Sequence, residues 1–181
     1  MVYVFLANGF EEIEALATVD ILRRAEIPTT TVGIDGKVVS GTHGIKVLAD
    51  ITDSEFVYNA GTEMIVLPGG MPGTIELEKS FCVNNALDMA EKEGKFIAAI
   101  CAAPSILGHK GMLRGKKACC YPGFEDQLIQ AIVSNDRVVQ DKNVITSRGA
   151  GTVYDFASKL VEVLRDKETA VKVLNSMICK K

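Results

Sequence analysis

Val2-Tyr3-Val4-Phe5-Leu6-Ala7 is an unbroken apolar run, Thr29-Thr30-Thr31-Val32-Gly33-Ile34 is a second β-rich stretch, and residues 11–25 between them have helical character. Within that helix Ile13, Leu16, Ala17, Ile21 and Leu22 recur at three- and four-residue spacing, whereas Glu11, Glu12, Asp20, Arg23 and Arg24 mostly fall elsewhere. The acids come early and the arginines late, as the helix dipole favours. Strand, helix, strand is a βαβ unit, and such a unit predicts parallel strands joined by a crossover helix.

The same alternation continues outward. Asp35-Gly36, Val38-Val39, the turn Gly41 to Gly44 and Ile45 to Leu48 predict a small strand excursion. Met64 to Leu67 is a buried strand that stops at Pro68-Gly69-Gly70, residues 82–93 have the pattern of an amphipathic helix, and Phe96 to Ile100 is the next strand. Cys101-Ala102-Ala103-Pro104 turns the chain into a helix that runs to about Lys110. Lys117 to Cys120 and Val144 to Ser147 are further strand candidates, and a helical region extends from Thr152 past Asn175. Strands apolar on both faces, alternating with helices, predict an α/β fold: a mostly parallel sheet with helices on both faces, in one domain over residues 1–181.

Composition narrows the function. With 181 residues and 48% hydrophobic content the chain has material for one sizeable core. Twenty Lys and Arg against 23 Asp and Glu leave a net charge of -3, which offers no general basic field for nucleic acid or an anionic membrane. No apolar stretch approaches the roughly 20 residues that span a bilayer. The first residues read as a buried strand rather than a signal peptide, so a cytoplasmic location is the expectation. The five cysteines, Cys82, Cys101, Cys119, Cys120 and Cys179, are odd in number and do not resemble a disulfide framework. There is no C-x-x-C, and His43 and His109 lie far in sequence from Cys119-Cys120, so no structural metal is expected. Nor does any strand lead into a complete G-x-G-x-x-G or a Walker loop, and Gly149-Ala150-Gly151 is too short for a dinucleotide fingerprint.

Open α/β sheets place their sites at the carboxyl ends of strands. Cys101 stands where a strand ends and a helix begins, a position that presents a side chain above the sheet and where helix-start N–H groups favour a thiolate. It is the nucleophile candidate; the other four cysteines lack that context and read as packed or incidental, and Cys119 and Cys120, if on a strand, face opposite sides. Glu14 follows Glu11 by three residues on the apolar side of its helix, which points it inward. A buried carboxyl prefers its protonated form and can hydrogen-bond a neighbouring thiolate or move a proton. Gly69 and Gly70 let backbone N–H groups approach a bound oxygen, and Ala102 N–H adds a donor.

Four stretches, Gly9-Phe10-Glu11-Glu12-Ile13-Glu14, Val66-Leu67-Pro68-Gly69-Gly70, Ala98-Ala99-Ile100-Cys101-Ala102-Ala103-Pro104 and Thr146-Ser147-Arg148-Gly149-Ala150-Gly151-Thr152, together resemble the ThiJ/PfpI superfamily. The likeness covers nearly the whole chain and is greatest to the branch of the parkinsonism-associated protein deglycase. It implies a class I glutamine amidotransferase-like domain with a flavodoxin-like three-layer sandwich, a homodimer, and no cofactor. It also implies a nucleophile elbow at Cys101, a protonated Glu14 beside the sulfur, and an anion pocket lined by the backbone of Gly69, Gly70 and Ala102. The related intracellular-protease branch carries His directly after the cysteine, where this chain has Ala102, so peptidase activity is not expected. Several relatives have His where Tyr121 stands and Arg where His43 stands; His43, Tyr121 and Arg148 are the further pocket candidates.

The chemistry implied by the resemblance is cysteine-dependent deglycation of early adducts on protein side chains or nucleotides, together with glutathione-independent conversion of methylglyoxal or glyoxal to the hydroxy acid. The partners are then small carbonyl compounds or glycated groups, without nucleic-acid sequence recognition and without membrane. The alternative is an oxidative-stress sensor or a protective, chaperone-like protein acting through oxidation of Cys101.

Overall fold

Every residue of β1 (Val2–Leu6) is buried, and successive side chains leave the strand on opposite faces. Val2, Val4 and Leu6 join one apolar cluster, while Tyr3 and Phe5 join the other. A strand of this kind needs a covering layer on each side. The structure, a computed structural model, describes residues 1–179 and supplies both layers.

From β1 the chain passes through α1 (Glu12–Arg24) to β2 (Thr29–Gly33), then through the hairpin of β3 (Val38–Ser40) and β4 (Lys46–Leu48) to β5 (Ile51–Thr52). Next come β6 (Met64–Leu67), α2 (Gly73–Lys79), α3 (Phe81–Lys92), β7 (Phe96–Ile100) and α4 (Pro104–His109). The remaining elements are β8 (Lys117–Ala118), β9 (Ile132–Val133), β10 (Val138–Asp141), β11 (Val144–Ser147), α5 (Val153–Leu164) and α6 (Lys167–Ser176). The main sheet has the order β10-β11-β7-β6-β1-β2-β5. It is parallel except for β10, which runs antiparallel to β11. Helices α1, α5 and α6 cover the Val2, Val4 and Leu6 face, and α2, α3 and α4 cover the Tyr3 and Phe5 face. This is a flavodoxin-like α/β sandwich. No helix among the described residues is long and apolar enough to cross a membrane.

Strand β2 lies on one side of β1 and β6 on the other, so the connections after β1 and after β6 depart toward opposite faces. A crevice opens at such a switch point, beyond the carboxyl ends of the strands. The loops after β1, β6, β7 and β11 all end there.

Three local expectations are corrected. Lys117 to Cys120 is not a strand of the main sheet: only Lys117–Ala118 is extended, and it pairs with Ile132–Val133 in a separate ladder. Cys119 departs because its N–H donates to Thr146 Oγ1 at 3.0 Å. The helical region after Thr152 is two helices, since the Asp166 side chain accepts from Thr169 N–H at 2.7 Å and starts a new one. The third concerns α1, where Ile13 and Leu16 are exposed while Glu12 and Glu14 are buried with Ala15, Thr18 and Val19. Periodicity places apolar residues on the core side, but here two carboxyls take part of that side because the crevice lies beneath the first turn.

Candidate active site

Strand β7 delivers the chain to Cys101, whose φ of 64° lies in the left-handed region. For a residue with a side chain this costs on the order of 1–3 kcal/mol and persists only where neighbours hold it. Here they do: Cys101 N–H donates to Ser147 O at 3.0 Å, and Cys101 O accepts from Tyr121 N–H at 2.8 Å. Pro104 then starts α4, where its missing N–H costs nothing. The result is a sharp strand-to-helix turn with a half-buried thiol at its apex.

Glu14 reaches the same point from α1. The Glu11 carboxylate caps that helix by accepting from Glu14 N–H at 2.7 Å, which sets the first turn. The Glu14 side chain is only 1% exposed. Its carboxyl accepts from Gly69 N–H at 2.9 Å, receives a further N–H from Ala150, and is hydrogen-bonded to Cys101. Gly69 is therefore not one of three donors facing a bound anion; its N–H belongs to Glu14. The Gly70 and Ala102 N–H groups are the two that point to the sulfur.

Glycine is required at this junction by close approach. A Cβ on Gly69 would lie 2.6 Å from Cys101 Cβ and 2.8 Å from Glu14 Oε2. Gly69→Ala is therefore expected to destabilise the fold by about 1–3 kcal/mol and to separate the two reacting groups. Urea denaturation together with the rate of Cys101 alkylation checks this; an alanine variant unchanged in both measures would remove the steric argument.

Burial pushes the Glu14 carboxyl up to about 7, against the pull of Cys101 and the Gly69 N–H, with the Glu11 charge adding to the rise. Burial likewise pushes the Cys101 thiol up to about 12, helped by the charge and hydrogen bond of Glu14 and opposed by the Ala102 and Gly70 N–H groups. The Ala102 N–H at the helix start does favour the thiolate, but burial, and after it the Glu14 carboxylate, outweighs that donor. The two groups titrate as a pair that gives up its first proton near pH 7 and its second near 12. Between these values they share one proton. When Glu14 holds it, the sulfur is a thiolate facing two backbone donors, which is the reactive form.

The other thiols differ. Burial raises Cys82 to about 11 and Cys120 to about 12, and among the described residues neither has a carboxyl hydrogen-bonded to its sulfur. Cys119 is buried against Thr146. All five cysteines are free.

Of the pocket candidates, Tyr121 lies next to the pair through its backbone, and its ring covers Gly149. Arg148 lines the adjoining cleft. His43 is turned elsewhere: its backbone N–H and its Nδ1 both bond the Glu12 carboxylate, each at 2.7 Å. Ligand atoms of Glu11, Glu12 and His43 come within 4.8 Å of one another, but Glu12 is occupied by His43 and Glu11 by the end of α1. Buried Glu12 ties the 41–45 turn to α1, and Ser147 and Ala150 hold the reacting residues; sequence reasoning missed all three, because each acts through a contact between distant segments.

Comparison with known proteins identifies the family. The DJ-1/PfpI family model matches residues 1–163. Protein dj-1beta of Drosophila melanogaster is 38% identical over 178 residues, which is 97% of this chain and 95% of that protein. The glutathione-independent glyoxalase DJR-1.2 of Caenorhabditis elegans is 31% identical over 92% of this chain and 89% of its own. Among solved structures, oxidized Toxoplasma gondii DJ-1 superimposes with a TM-score of 0.95 at 37% identity, covering 99% of this chain and 98% of that one. A shared sandwich, matched over nearly the full length of each relative, establishes that this chain belongs to the DJ-1/PfpI family.

Proposed function

We propose that this chain is a cysteine-dependent enzyme of α-oxoaldehydes, converting methylglyoxal and glyoxal to hydroxy acids without glutathione and removing their early adducts from side chains or nucleotides. The observation that carries the proposal is the hydrogen-bonded pair of Cys101, held at φ 64°, and Glu14, whose carboxyl is buried beside the sulfur and pushed up by that burial. The named activity of the C. elegans relative supports the substrate class.

In the proposed path the Cys101 thiolate adds to the aldehyde carbon and protonated Glu14 gives its proton to the new alkoxide, leaving a hemithioacetal. Glu14, now a carboxylate, removes the C1 hydrogen, and the enediol collapses to a 2-hydroxy thioester as the proton returns to C2. Water cleaves the thioester, releasing the hydroxy acid and the thiol. The Gly70 and Ala102 N–H groups steady the developing oxyanion. An early hemithioacetal or hemiaminal enters the same path once its C–S or C–N bond breaks, the carbinol proton passing to the departing side-chain thiol or amine, and the aldehyde so freed adds to Cys101.

The test is steady-state consumption of methylglyoxal with chiral detection of lactate. Many turnovers per chain are expected; a folded protein that makes no lactate overturns the glyoxalase reading. A second reading, redox sensing through Cys101, is favoured by the oxidized state of the Toxoplasma relative. It calls for stoichiometric reaction with peroxide in place of turnover, with Glu14 donating a hydrogen bond to the oxidised sulfur.

The proposed unit is one domain acting as a homodimer. Ile13 and Leu16 on α1, Ile45, and the cross-strand pair Val38 and Leu48 are exposed apolar side chains that such an association would cover. Sedimentation analysis should find a dimer, and a monomer at working concentrations would remove this part of the proposal.

A further inference from the structure

Beside the reacting pair lies an open cleft of about 450 Å³, lined by Tyr121, Pro122, Arg137, Arg148 and the loop from Gly149 to Thr152. It adjoins the pair on two sides. Tyr121 N–H donates to Cys101 O at 2.8 Å, and Ala150 N–H is directed at the Glu14 carboxyl.

Its two arginines are in different states. Arg137 Nε pairs with Asp155 at 2.7 Å and its Nη2 donates to Gly151 O at 2.7 Å, so its charge is answered and it braces the loop. Half-buried Arg148 has one hydrogen bond, from Nη1 to the Asn135 carbonyl at 3.3 Å, and makes no ion pair among the described residues. The acids around it are committed elsewhere: Asp136 to Lys117 Nζ at 2.7 Å, Asp155 to Arg137, and Glu125 to Gly123 N–H at 2.7 Å. The positive field is felt locally, since Arg148 favours the ionised form of both Cys119 and Cys120. A guanidinium presents a planar fork of donors suited to two oxygens of one anion. In this cleft that fork lacks a carboxylate of its own.

We infer that the cleft is an oxyanion subsite, in which Arg148 receives a carboxylate or phosphate carried by the molecule whose carbonyl reacts at Cys101. The catalytic use of this subsite rests on the function proposed above, whereas its capacity to attract an anion does not. The subsite would make anionic adducts better substrates than neutral ones of the same size.

Iodoacetate and iodoacetamide form a charge-matched pair of probes for Cys101, one anionic and one neutral. The ratio of their alkylation rates, mapped to Cys101 by peptide mass spectrometry, cancels general damage to the thiol. Arg148→Gln is expected to lower the iodoacetate-to-iodoacetamide ratio about fivefold, and Arg148→Lys to keep most of it because the charge remains. In the wild type, added inorganic phosphate should slow iodoacetate more than iodoacetamide, a measurement that needs no variant to fold. A ratio that Arg148→Gln leaves within twofold of wild type, or equal slowing of both reagents by phosphate, overturns the subsite.

A second arm compares kcat/KM for the methylglyoxal hemithioacetals of N-acetylcysteine, which bears a carboxylate, and of N-acetylcysteine amide, which does not. The anionic-to-neutral ratio should fall in Arg148→Gln in step with the alkylation ratio. If the wild type turns over neither adduct while the alkylation ratio still depends on Arg148, the adduct-removing part of the proposed function falls and the anion subsite stands.

Discussion

Replacing Cys101 by serine is expected to lower methylglyoxal turnover at least about a thousandfold, because the whole proposed path runs through a covalent bond to sulfur. A serine hydroxyl fits the same turn but ionises far less readily, and Glu14 is too weak a base near pH 7 to make up the difference. The backbone bonds from Cys101 N–H to Ser147 O and from Tyr121 N–H to Cys101 O involve no side-chain atom, so the strained turn should survive the change. The measurement is lactate formation beside a denaturation curve. A folded Cys101→Ser protein that retains a tenth of wild-type turnover would place the nucleophile elsewhere.

Glu14→Gln is expected to lower kcat by about a hundredfold to ten-thousandfold, the range over which a positioned acid or base contributes. An amide still donates a hydrogen bond to the sulfur but cannot move a proton between the carbonyl oxygen, C1 and C2. The same variant carries a stability signature with a definite sign. The Glu14 carboxyl rises from 4.5 to about 7 on folding. Its protonated form therefore favours the folded state at low pH, fully below the unfolded value, and that contribution is lost as pH rises through about 7. The loss amounts to about 3 kcal/mol. Glutamine does not titrate, so the stability of wild type relative to Glu14→Gln should decline by about that much as pH rises from 4.5 through about 7 and beyond. Urea denaturation of both proteins across this window checks the claim, and parallel pH curves would show that Glu14 is not the buried acid described.

Stability and chemistry thus draw on one feature. A carboxyl held at 1% exposure penalises its own charge, and that penalty keeps a proton available beside the sulfur near neutral pH. Burial, with the Glu14 charge adding to it, pushes the Cys101 thiol up to about 12 against the helix-start donors, so a protonated Glu14 eases formation of the thiolate.

The alternation of strands and helices, the burial of β1 and β7 on both faces, and the placement of Cys101 at the end of β7 were all legible from residue order. Each depends on a local pattern: apolar runs without a polar face, a helix with three- and four-residue spacing, and a Pro-marked helix start after a strand. The helix α2 was not legible because its 7 residues are too few to show a helical stripe, and β5 and β9 were not because two residues each make no run. The outward turn of Ile13 and Leu16 was hidden for a different reason: spacing defines a helix's faces but not which of them meets the sheet.

The sequence by itself therefore determined the class of fold, the candidate nucleophile and the loops among which a site had to lie. Only the tertiary structure decided that the Gly69 N–H serves Glu14 rather than a ligand, that His43 belongs to Glu12, and that Arg148 stands without a carboxylate beside the cleft. Those contacts join segments far apart in the chain, and the strand order β11-β7-β6-β1 brings the loops after four separate strands to one crevice. Local pattern carries information about the turn a residue makes; the neighbours it meets there are set by how the sheet is assembled.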